Sequence, residues 1–181
     1  MTSAIPADLV DLWGTDRDRQ NAAYRTFMDA TTVPVPWAHD VWDDVVANLG
    51  HKDNHNRAIA AQLLCNLASR DTTDRVLGDL DALVEVTRDA KFVTARHALK
   101  SLWRIGRGGE VQRRAVVAAL AARYREAEAE KNGTLIRHDV VESLRALHDA
   151  VADPEVETTA RELIELETDL KYRKKYAKHW R

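Results

Sequence analysis

The chain has 181 residues, 45% hydrophobic and 31% charged, and its 27 Lys and Arg nearly balance 29 Asp and Glu for a net charge of -2. That balance gives no bulk attraction to nucleic acid or to an anionic membrane, and no stretch approaches the roughly 20 apolar residues that span a bilayer. A single cysteine excludes an internal disulfide framework and fits a reducing compartment, while scarce Gly (7) and Pro (4) beside abundant Ala, Leu and Arg point to an all-α protein.

Ile5-Pro6 followed by residues 7–13 predicts a short opening helix with proline in its first turn, where the missing amide hydrogen costs little, closed by Gly14. The N-terminal string has neither the basic start nor the long apolar run of a secretory signal, so a soluble cytoplasmic protein is expected. A helix over 16–30 places Ala22, Ala23, Thr26 and Phe27 on one face. The string Val33 to Pro36 then forces an extended crossing, because proline restricts both itself and the residue before it. Helices over 37–49 and 54–69 follow, the first closed by Gly50 as a left-handed cap and the second opened by Asp53 or Asn54. The next pair covers 73–88 and 91–106, ended by Gly106, Gly108 and Gly109. The fourth covers 110–131 and 134–151, with Asn132-Gly133 as its turn and Thr134 as its cap. Asp153-Pro154 opens a helix to about 167, and a basic helix over 170–180 ends the chain.

These elements repeat. A segment anchored at Arg19 returns at Arg57, Ala95, Arg137 and Arg173, at intervals of 38, 38, 42 and 36 residues. Three positions after the anchors come Ala22, Ala60, Ala98, Val140 and Tyr176; four after come Ala23, Ala61, Leu99, Val141 and Ala177; seven after come Thr26, Leu64, Leu102, Leu144 and Trp180. One helical stripe returning at that period marks a unit that cannot bury its apolar face alone and must stack on its neighbours. A single domain over 1–181 is expected, with units over about 6–30, 37–69, 73–106, 110–151 and 154–181.

Small or aliphatic residues after an early arginine, then leucine and a second aliphatic at the tenth position (Leu67, Ile105, Leu147), resemble the second helix of a HEAT repeat, with Arg57 to Leu64 the best copy. Asp16, Asp53 and Asp89 stand near the place of that family's turn aspartate. The resemblance, which is also to small bacterial HEAT-repeat proteins, implies a right-handed α-α superhelix of about five antiparallel helix pairs that works as a binding scaffold.

In such a superhelix the second helices line the concave face, and the positions between core residues form ladders. The fifth position after the anchor gives Tyr24, Gln62, Lys100 and Glu142; the eighth gives Cys65, Trp103 and Arg145; the ninth gives Met28, Asn66 and Arg104. Near the helix starts lie His55, Arg96, His97 and His138. All of these but Cys65, Met28 and His55 make up the expected binding set for a protein or peptide partner; Cys65, between Leu64 and Leu67, reads as packing. Trp103 stands out, because an indole at a groove position is costly to leave wet and is enriched where partners bind.

Charge offers the alternative of a nucleic-acid partner. Residues 1–90 carry 8 Lys and Arg against 15 Asp and Glu, while 91–181 carry 19 against 14. Within the second half, 91–125 holds nine bases and one acid, and the last eleven residues add six bases. A HEAT-like group, the alkylpurine DNA glycosylases, works with a basic aromatic groove and an acid, weakly imitated by Trp103, Arg96, Arg104, Arg145 and Asp139. Yet Tyr172, Tyr176 and Trp180 recur every four residues, with the last two on core positions, so a capping helix explains the basic C-terminus better.

No catalytic residue, metal or other cofactor is expected. His51, Asp53 and His55 would converge on zinc only if their loop were extended. The HisAsp pairs at 39–40, 138–139 and 148–149 are too asymmetric to imitate the paired HisGlu ligands of iron-binding HEAT-repeat hydroxylases. HEXXH, CXXC, GXSXG and glycine-rich phosphate loops are all missing.

Overall fold

The computed structural model describes residues 4–6, 8–71 and 73–181; residues 1–3, 7 and 72, including the start of the expected opening helix, lie outside the described residues. The fold is all-α. The described residues form ten α-helices: α1 (Leu9–Leu12), α2 (Arg17–Ala30), α3 (Ala38–Asn48), α4 (Asn54–Ala68), α5 (Val76–Val86), α6 (Phe92–Leu99), α7 (Glu110–Glu126), α8 (Gly133–Val151), α9 (Pro154–Glu165) and α10 (Leu170–Ala177). Short 3-10 segments, Leu102–Arg107, Ala127–Ala129 and Lys178–Trp180, follow α6, α7 and α10.

Aspartates set the helix starts. Asp16 accepts from the amides of Asp18 and Arg19 at the head of α2, and Asp53, Asp153 and Asp169 each accept from the amide two residues on, at 2.9, 2.9 and 2.8 Å. Each bond satisfies an amide with no partner inside its helix, a contribution of about 1 kcal/mol per cap. Pro154 takes the first position of α9.

Several boundaries differ from the sequence expectation. The helix expected over 91–106 breaks at Leu99, and the freed Leu99 carbonyl accepts from the buried Ser143 hydroxyl of α8 at 2.9 Å, so a neighbouring helix supplies the lost bond. The helix expected over 110–131 stops at Glu126. Pro6 precedes α1 instead of opening it. Gly50 is not a left-handed cap: no described glycine has positive φ, and that role falls to Ala152 after α8, at φ 51° and ψ 37°. Thr134 is not a cap either, because α8 already begins at Gly133. A Cβ at Gly133 would sit 2.0 Å from the Ala127 carbonyl oxygen, so only glycine allows that close approach.

Packing follows chain order. α2 meets α4, α4 meets α6, α6 meets α8 and α8 meets α10; in the other set α5 meets α7 and α7 meets α9. Side-chain bonds join positions nearly one sequence period apart: Gln20 to Asn56 at 2.8 Å, Trp42 to Asp79 at 2.8 Å, and the Tyr176 hydroxyl to the Thr134 carbonyl at 2.7 Å. Two of the four anchor arginines pin the loop ahead of their own helix. Arg57 donates to the His51 and Lys52 carbonyls at 2.7 and 3.0 Å and grips Asp89 through Nε and Nη2, while Arg173 donates to the Glu167 carbonyl at 2.7 Å.

The third and seventh positions after the anchor are buried in every unit except the first. At the far end Tyr176 and Trp180 are 0% and 3% exposed, which makes the terminal segment a packed helix whose lysines 171, 174, 175 and 178 face solvent. Leu163 is buried, whereas Leu166 is 51% exposed.

Candidate functional site

The ladder positions separate into an open groove and a charged cluster. The groove, of about 230 Å³, lies across α2, α4 and α6, with Tyr24, Asn54, His55, Gln62, Val93 and His97 among its lining. Tyr24 Oη donates to Gln62 Oε1 at 2.9 Å, and the Gln62 amide donates to the Ala58 carbonyl at 2.9 Å. Burial pushes the Tyr24 phenol above its ordinary range, against the pull of Arg104. His97 stays below the ordinary imidazole range through desolvation and the adjacent cations Arg96 and Lys100. Val93, on the same face, is 65% exposed.

The charged cluster joins α6 to α8. Arg96 holds the fully buried Asp139 with two bonds, 2.6 and 2.8 Å, and that carboxylate raises the guanidinium pKa further. Lys100 Nζ lies 3.0 Å from Glu142 Oε2 and 3.8 Å from Asp139 Oδ1. Burial raises the Glu142 pKa, but Lys100 and the imidazoles of His138 and His179 outweigh it and leave the carboxyl below its usual range. His138 is displaced downward, by desolvation first.

Trp103 and Arg104 sit on the 3-10 turn after α6 rather than on a continuous helix. Trp103 is half-buried, with the guanidinium carbons of Arg104 and Arg107 at 5.3 and 6.0 Å from its ring centre. Arg104 Nη1 is buried without a hydrogen-bond partner. Arg145 pairs with Asp149 and lies 5.2 Å over the Trp180 ring.

Not every ladder position is on the open face. Asn66 is 7% exposed and spends its amide on the Thr31 hydroxyl at 3.0 Å, and Cys65 is wholly buried, its thiol pushed up to about 12 by desolvation. The His51 to His55 loop is occupied by local bonds: Asp53 caps α4 and meets Arg17 at 2.5 Å, while His51 Nδ1 accepts from the Asp53 amide at 3.0 Å. The ladder reading missed His179, whose Nε2 lies 3.1 Å from Nε2 of His138, 41 residues earlier. That separation is close to one repeat period and was the available signal.

No protein-family model matches the chain, and no curated protein matches it. No helix of the described residues is long and apolar enough to cross a membrane.

Proposed function

We propose that the chain is a right-handed HEAT-like solenoid of antiparallel helix pairs and serves as a non-enzymatic cytoplasmic scaffold that holds a protein or peptide segment on the face of α2, α4, α6 and α8. The observation that carries this reading is the groove in which Tyr24, Gln62 and His97, three ladder residues from three successive units, meet around Val93. Its amide and phenol groups suit the backbone of an extended segment, and Val93 offers an apolar seat. The stacked Arg104, Arg107 and Trp103 next along the chain suit an acidic side chain. The test is selection of peptides from a random display library, followed by titration of the best binders against wild type and a Gln62→Ala, Val93→Glu double variant. Loss of binding with an unchanged melting curve supports the groove; equal binding by the double variant rejects it.

The two guanidiniums on Trp103 also favour single-stranded nucleic acid, where bases stack on aromatic rings. Of the nine bases in 91–125, however, Arg96, Lys100, Arg113, Arg114 and Arg123 are spent on carboxylates, which leaves few cations for phosphates. Titration of short DNA and RNA at two salt concentrations separates the readings. Tight binding with a steep salt slope replaces the scaffold by the nucleic-acid protein.

A further inference from the structure

We propose that His138, Glu142 and His179 form a binding site for one divalent transition-metal ion of the zinc class. His138 and Glu142 lie four residues apart on α8 and so share one face of that helix. His179 comes from the 3-10 turn Lys178–Trp180 that ends the chain. One ligand atom from each of the three residues lies within 4.8 Å of the other two. Two imidazole nitrogens held at about 2.0–2.1 Å from one tetrahedral ion stand about 3.3 Å apart, and the two Nε2 atoms here stand at 3.1 Å. The rings meet edge to face, 71° between planes, so face-to-face stacking does not account for the approach.

The third ligand is prepared in a different way. Glu142 Oε2 is buried, with the Lys100 ammonium 3.0 Å and His138 Nδ1 3.6 Å away. A buried carboxylate oxygen that already draws cationic groups is a place for a metal ion, which would take over from Lys100. Lys100 has a second carboxylate to hold when a metal takes this one, since Asp139 Oδ1 is 3.8 Å from Nζ. Asp139 itself stays engaged by Arg96, and Lys175 is the other cation acting on His138. Two nitrogens and one carboxylate oxygen select Zn²⁺, Co²⁺ or Ni²⁺ over Mg²⁺ and Ca²⁺. The side chains of His138 and Glu142 are 14% and 31% exposed, so water reaches the remaining coordination position. Once bound, the ion ties the last turn of the chain to α8. None of the three residues lines the groove across α2, α4 and α6.

Chelator-treated protein is titrated with Zn²⁺ by calorimetry and with Co²⁺ by visible absorption, beside His179→Ala and Glu142→Gln variants. The expected result is one ion per chain, a tetrahedral Co²⁺ spectrum, and a melting temperature raised by about 5–10 °C at about 100-fold excess of Zn²⁺ over its Kd. Each variant, melting like the wild-type apoprotein, binds about 10–100-fold more weakly or worse. Glu142→Gln preserves shape, so it reports on the site even if His179→Ala loosens the terminal turn. Absence of saturable Zn²⁺ binding in the wild type, or equal affinity in wild type and both variants, overturns the site and leaves the two histidines as a hydrogen-bonded pair.

Discussion

The first and last units put the same positions in opposite states. Ala22 and Thr26 on α2 are exposed, while Tyr176 and Trp180, three and seven places after the last anchor, are buried. The stripe formed by these positions faces the preceding unit, as the Tyr176 bond to the Thr134 carbonyl shows directly. In the first unit small and polar residues occupy the stripe, and α2 buries Gln20, Ala23 and Phe27 instead. The last described unit fills the stripe with the buried side chains of Tyr176 and Trp180. One ion pair from each end shows a like contrast: Arg17–Asp53 is partly exposed, with side chains 43% and 22% accessible, whereas Arg137–Glu167 is at 8% and 4%.

The contrast is broken most severely by deleting residues 170–181. Truncation of a buried aromatic costs about 3–5 kcal/mol, and two are lost together, so the melting temperature should fall by more than about 10 °C. Hydrogen exchange should rise first in 134–167 and least in 16–69, because α10 packs on α8 and α9. An unchanged melting curve would remove the cap from the structure's account.

Next in size is Arg137→Ala. It leaves the Glu167 carboxylate buried without its partner, removes the donor to the Tyr124 carbonyl at 3.2 Å, and should cost about 3–5 kcal/mol in chemical denaturation. At the other end, Asp53→Asn should cost less than about 1 kcal/mol at neutral pH, since the Arg17 pair is open to solvent. Its signature is pH dependence. Burial raises the Asp53 pKa, but Arg17, the His55 amide and the His55 ring outweigh it and hold the carboxyl down to about 2. With an unfolded value of about 3.9, the stabilisation is complete above about pH 4 and is lost as pH falls towards 2. Denaturation midpoints for wild type and Asp53→Asn should therefore converge across that window. The smallest effect is Thr26→Ala, expected within about 0.5 kcal/mol of wild type, against several for Trp180→Ala at the equivalent position.

Helix class, order and most of the starts could be read from the sequence because they depend on local chemistry. Asp16, Asp53 and Asp153 cap the helices they precede, and the stripe at the third, fourth and seventh positions identifies most of the buried face. The break after Leu99 was hidden, since its compensating donor, Ser143, lies 44 residues away on another helix. Pairing was equally hidden. The basic run 91–125 reads as a cationic surface, yet Arg123 is 1% exposed and divided between Thr87 and Glu130. Of the candidate face, the ladder brought together Tyr24 with Gln62 and Lys100 with Glu142, at matching repeat positions. It could not show that Asn66 turns inward or that the chain's last turn brings His179 onto α8.

The spacing of the bonds between units bears on how quickly the native state is reached. Among the described residues no side-chain hydrogen bond joins positions more than 44 residues apart, the longest running from Ser143 to Leu99. Loop closure by these bonds therefore spans at most about a quarter of the chain, and its entropic cost grows only slowly with length. Low contact order of this kind favours rapid folding, and each completed helix pair offers the next a finished surface. Assembly can keep pace with synthesis at about 5–20 residues per second, helix by helix from the N-terminus, with Tyr176 and Trp180 packing after α8 and α9 are in place.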